Sequence, residues 1–142
     1  MVTAIAAVLI FVLPSCSTGP QPIKLGKDAC SFCKMSIADN RFGAEIITPK
    51  GKIFKFDDIH CVLAFLKENT THKKDMTETY FVNFNEPHNL IDVHKALLLK
   101  SKELHSPMRG NIAVYDEESK FMEGLQKFKG ERVVWQELIS EQ

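Results

Sequence analysis

An α+β domain made of two ββαβ units with mostly antiparallel sheets is the fold this sequence predicts. Three observations point to it. Short β-branched and aromatic runs are broken by turn residues, two stretches carry apolar residues at helical spacing, and each half presents these elements in the same order. The chain has 142 residues, 44% of them hydrophobic, with 18 Lys+Arg balanced by 18 Asp+Glu. That composition supports one globular domain, and the zero net charge speaks against a nucleic-acid binder or a polybasic membrane-surface protein.

Residues 44–48 and 52–56 are strand-like runs separated by Pro49, Lys50 and Gly51, which predicts a hairpin. Asp57 and Asp58 supply an N-cap. Ile59, Val62, Leu63, Phe65 and Leu66 then repeat at helical spacing, predicting a helix over about 58–68. Residues 78–84 alternate as a further strand, with Tyr80, Val82 and Phe84 on one face and Phe81 on the other. In the second half, residues 95–101 read as a buried strand and 111–115 as its partner. Asp116 is placed to cap a helix carrying Phe121, Leu125 and Phe128, Gly130 stops it, and residues 132–136 close as a strand.

The front of the chain is a different kind of segment. No charged residue precedes Lys24, and the apolar run that ends at Leu13 has signal-peptide length, too short to span a bilayer. Leu13, Pro14, Ser15 and Cys16 resemble a bacterial lipobox. The expected organisation is a lipoprotein signal peptide at 1–15, a lipidated Cys16 with a flexible tether over 16–25, and a folded domain over 26–142. Such a chain is held by its lipid on the periplasmic side of a membrane. Ser17 after Cys16, in place of Asp, favours the outer membrane. Three thiols then remain for the domain, Cys30, Cys33 and Cys61, and an odd number cannot all pair within one molecule in an oxidising compartment.

The chemistry concentrates between Asp28 and Ile37. A Cys30-x-x-Cys33 spacing alone serves zinc sites, redox sites and structural disulfides alike. Met35 sharpens it. In an extended segment Cys33 and Met35 share a face, and thiolate beside thioether suits Cu(I) better than commoner metals. A Cys30–Cys33 disulfide with Met35 as core filler stands beside that reading. Met108, between Pro107 and Arg109-Gly110, is a turn methionine and a further ligand candidate. Cys61 falls near a helix N-terminus, where the dipole favours a thiolate, although an apolar-face Cys is commonly just core. Among the histidines, His88 and His105 are the better-placed candidates.

Taken together, Cys16, the Cys30-x-x-Cys33-x-Met35-x-Ile37 run, residues 41–46, the Phe56-to-Cys61 segment and Ser106-Pro107-Met108 resemble the NosL family. These are copper-binding lipoproteins of the nitrous oxide reductase maturation system. The resemblance implies two ββαβ units related in fold to organomercurial lyase, and a non-enzymatic periplasmic Cu(I) chaperone. It further implies delivery of copper towards the CuZ site of nitrous oxide reductase through an ABC-type maturation complex. Carried over by position, the metal ligands it implies are Cys33, Met35 and Met108, with Cys30 and Cys61 from the longer motif of one branch. Arg109 departs from the Gly that family members often carry after Pro-Met. The alternatives are a thiol-disulfide redox protein, an organomercurial-lyase-like enzyme with Asp28 or Asp58 as its acid, a copper carrier for another periplasmic enzyme, and a structural lipoprotein.

Overall fold

A computed structural model describes residues 19–69 and 78–141. The expected signal peptide and expected lipidation of Cys16, together with His72, lie outside the described residues. The hairpin forms as β1 (Ala44–Ile47) and β2 (Ile53–Phe56), followed by α1 (Ile59–Glu68), β3 (Glu78–Val82) and a short β4 (Leu90–Asp92). The second half contributes β5 (Leu97–Lys100), β6 (Ile112–Tyr115), α2 (Glu118–Phe128), β7 (Glu131–Val133) and α3 (Trp135–Ser140). Each half is thus the expected ββαβ unit with one added element, β4 in the first and α3 in the second. All pairings are antiparallel, in sheets ordered β2-β1-β3-β4 and β6-β5-β7.

The burial pattern shows why the second half reads as continuous apolar runs. Leu98, Ile112 and Val114 face a core shared with Phe56, Phe81 and α1, while Leu99, Ala113 and Tyr115 face Phe121 of α2. The second sheet is therefore covered on both faces, which removes the polar alternation of a half-exposed sheet. The halves are joined by backbone as well as by packing. The Phe84 N–H donates to the Val114 carbonyl at 2.7 Å.

Two local expectations are corrected. Asp116 does not cap α2. Its carboxylate accepts instead from the Asn83 amide at 2.8 Å, and the cap position falls to Glu117, with no side-chain capping bond. Residues 132–136 do not continue as a strand. The Val134 carbonyl accepts from the Glu137 and Leu138 N–H groups, so the chain turns into α3 and points Trp135 and Leu138 into the core. Gly130 does end α2, but the left-handed residue is Lys129 (φ 48°). A Cβ on Gly130 would lie 2.7 Å from the Lys100 carbonyl oxygen, so that position needs glycine for close approach to β5.

Glu45 is fully buried in β1, paired across the sheet with Lys55 and Tyr80. One carboxylate oxygen accepts from the Gln21 N–H at 3.0 Å, and the other has no partner among the described residues. Burial pushes its pKa above the usual 4.5. The folded state therefore holds this proton more tightly than the unfolded chain. Its contribution to stability is fully present below about pH 4.5 and is lost as pH rises through the folded value. Glu45→Gln keeps the acceptor for Gln21 and removes the buried charge. We expect it to raise stability near pH 7 by about 1–2 kcal/mol, with the advantage vanishing in acid. Urea unfolding of both proteins from pH 4 to 8 checks this, and parallel pH profiles would contradict it.

Candidate metal centre

Residues 26–37 form a narrow loop closed by reciprocal backbone bonds. The Gly26 N–H donates to the Ile37 carbonyl, Ile37 N–H to Asp28, and Cys30 N–H to Met35. Ser31 fastens this loop to β2, its N–H donating to the Lys55 carbonyl at 2.7 Å and its Oγ accepting from the Lys55 N–H at 3.1 Å. The Lys55 ammonium adds an ion pair to Asp28 at 2.7 Å. The Lys24 backbone bond, with the Lys55 pair behind it, holds the Asp28 carboxyl below its ordinary pKa. The attachment sets Cys30 and Cys33 beside the β2–α1 junction.

At that junction Asp57 and Cys61 complete a cluster. One ligand atom from each of Cys30, Cys33, Asp57 and Cys61 lies within 4.8 Å of all the others. Cys33 Sγ donates to Asp57 Oδ2 at 3.5 Å, while the buried Asp57 Oδ1 has no partner among the described residues. Cys30, Asp57 and Cys61 are buried and Cys33 is half-buried. All three thiols are free, so the Cys30–Cys33 disulfide is not formed. Burial pushes the Cys33 thiol pKa up, partly offset by the Met35 N–H facing its sulfur. Burial, followed by the hydrogen bond to Asp57, pushes Cys61 up strongly, against the expectation from the helix dipole. Desolvation of a sulfur with no exposed surface outweighs the dipole of a 10-residue helix.

Cys33 and Met35 do not share an extended face. Lys34 takes a left-handed conformation (φ 66°) and turns the chain between them, leaving Met35 57% exposed. Met108 reaches the same junction by another route. Asp58 caps α1, its Oδ1 accepting from the His60 N–H at 2.9 Å, and its Oδ2 accepts from Ser106 Oγ at 2.6 Å and the Met108 N–H at 2.9 Å. One carboxylate thus binds the Met108 turn to the start of α1. Met108 is half-buried and packs on the same core cluster as Cys30 and Cys61. Arg109 adopts φ 58°, the left-handed region that favours glycine. A Cβ on Gly110 would collide with Asp58, so Gly110 is required where the turn meets the clamp.

In the sequence Asp57 reads as part of the α1 cap and carries no metal-type motif. Its one distinguishing signal is a polar residue immediately before the N-cap and four before Cys61. Among the described residues no histidine joins the cluster. The His88 ring bonds the Asn83 carbonyl at 2.9 Å, and His105 is exposed. The acids offered for a lyase are both engaged, Asp28 by Lys55 and Asp58 by the clamp. Nor does the Cys-x-x-Cys turn open a helix, the arrangement a thioredoxin-like redox site requires.

A NosL family model matches residues 22–142. The chain belongs to the NosL family. Its fold is also that of a crystal structure of the copper chaperone NosL from Shewanella denitrificans. That match covers 89% of this chain and 99% of the other, with a TM-score of 0.74 at 16% sequence identity. No curated protein matches the sequence significantly. For this NosL member the common fold carries the α+β architecture, and the assignment of metal ligands rests on its own residues.

Proposed function

We propose that this chain is a lipid-anchored, non-enzymatic Cu(I) chaperone on the periplasmic side of the membrane, held through Cys16, with the outer membrane favoured. Its copper goes to nitrous oxide reductase, for the CuZ site, through an ABC-type maturation complex. Family membership supports the copper role, and the observation that carries it is the gathering of three cysteine sulfurs within 4.8 Å at one junction, with the Met108 turn tied to the same helix start. The Ser31 attachment brings Cys30 and Cys33 to the start of α1 beside Cys61, and the Asp58 clamp brings the Met108 turn there. Soft sulfur ligands select Cu(I) over harder ions. Cys33 is half-buried and Met35 is exposed, so an acceptor's sulfur or imidazole can bind the ion before the donor releases it.

Anaerobic titration of the reduced chain against a chromophoric Cu(I) chelator tests the reading. One Cu(I) per chain is expected, and Cys33→Ser and Met108→Ala should each weaken binding at least about tenfold. Unchanged affinity in both variants would sink the assignment. Copper transfer to apo nitrous oxide reductase, compared with transfer to other periplasmic copper enzymes, decides the acceptor. The lyase reading gains one observation, Asp57 beside thiols, and is tested by release of hydrocarbon from an organomercurial.

A further inference from the structure

Copper(I) chemistry does not account for every group in the cluster. Two or three sulfurs satisfy Cu(I), and a hard carboxylate oxygen adds little to it. Here a carboxylate is nevertheless buried among three thiols. Its Oδ1 is without a partner among the described residues, a costly arrangement in an apo protein. The donor set of three sulfurs and one oxygen is that of a four-coordinate site for a borderline divalent cation. The loop is shaped for such an ion. In the Cys30-x-x-Cys33 turn the residue after the second cysteine is left-handed, and Lys34 N–H returns to the Cys30 carbonyl at 3.0 Å.

We propose that Cys30, Cys33, Cys61 and Asp57 form a closed tetrahedral site for a thiophilic divalent cation of the zinc class. The inference goes beyond the copper reading and does not depend on it. With metal–sulfur bonds of about 2.3 Å, a tetrahedral site separates its sulfurs by about 3.8 Å. Ligand atoms that all lie within 4.8 Å of one another therefore need close by no more than about 1 Å when the ion binds. Three metal–sulfur bonds and one metal–oxygen bond form, three thiol protons pass to solvent, and no group changes oxidation state. A bound ion would hold all three thiols reduced in an oxidising compartment, where an odd number cannot pair off. It would also occupy the cysteine sulfurs that the copper reading draws on, Cys33 among them, so the divalent ion and Cu(I) compete for the same sulfurs.

The test uses the reduced full chain in detergent, with Zn(II) competed against a chromophoric chelator and Co(II) as its spectroscopic stand-in. One ion per chain is expected, with sulfur-to-cobalt charge-transfer bands, a tetrahedral d–d spectrum, and protection of Cys30, Cys33 and Cys61 from alkylation as read by mass spectrometry. Asp57→Asn should weaken Zn(II) at least about tenfold and leave Cu(I) affinity within about twofold. Met108→Ala should do the reverse. No Zn(II) binding, an octahedral Co(II) spectrum, alkylation of Cys30 and Cys61 in the presence of Zn(II), or unaltered Zn(II) affinity in Asp57→Asn would each overturn the proposal. Thermal melting of the metal-free variant checks its folding, and alkylation of the unsubstituted chain decides independently of it. If Met108→Ala and Cys33→Ser leave Cu(I) affinity unchanged while Asp57→Asn loses Zn(II), the copper reading fails and this one stands.

Discussion

Asp58→Ala should cost about 3–5 kcal/mol of stability and also weaken Cu(I) binding. The cap bond to the His60 N–H accounts for about 1 kcal/mol of this. The remainder comes from donors left without their acceptor. Ser106 Oγ, the Met108 N–H and, at 3.3 Å, the Gly110 N–H all donate to the same Asp58 oxygen. Because Asp58 is 1% exposed, water cannot readily replace it. Residues 106–110 would then lose their tie to α1, and Met108 with them. Asp58→Asn, which keeps an acceptor oxygen, should fall between the two proteins. Urea unfolding and the chelator competition measure the two effects. A loss below about 1 kcal/mol, or intact copper affinity in Asp58→Ala, would contradict the clamp.

Trp135→Ala should be comparably damaging to stability, by about 3–5 kcal/mol, but without a direct effect on the metal ligands. Trp135 opens α3 and packs edge-on against Phe81 of β3, with ring centroids 5.0 Å apart. It is the point where the last helix of the second half closes on the sheet of the first. Truncation removes a large buried surface and leaves a cavity lined by Phe81 and its neighbours in a core that includes Leu138. Trp135→Phe should recover most of the loss. Below the melting transition, the alanine variant should bind Cu(I) with unchanged affinity, which separates it from Asp58→Ala.

The fold was legible because its signals are local. The hairpin at Gly51, the apolar spacing of α1 and the end of α2 each depend on residues adjacent in sequence. What was not legible depends on distant partners. Asp116 looked like a cap but is taken by Asn83, 33 positions away. Residues 132–136 look like a strand because Val133, Val134 and Trp135 favour one, yet Trp135 is worth more as a helical plug against Phe81. At the site, the three cysteines and Met108 stand out by residue type. Asp57 does not, since a carboxylate beside a helix start has an ordinary local explanation, and only the folded chain shows that Asp58 alone serves as the cap.

The stitching of the two ligand-bearing segments has an evolutionary consequence. The Cys30–Cys33 loop is attached by Ser31 to the backbone of Lys55, and the Met108 turn by its backbone to Asp58. Both attachments use groups that are indifferent to the identity of the sulfur residues. A descendant could exchange the residues displayed on either loop, and with them its preferred cargo, while keeping Ser31, Asp58 and Gly110 as fixed mounting points. Retention of those three residues should therefore outlast retention of the thiols as such proteins diverge.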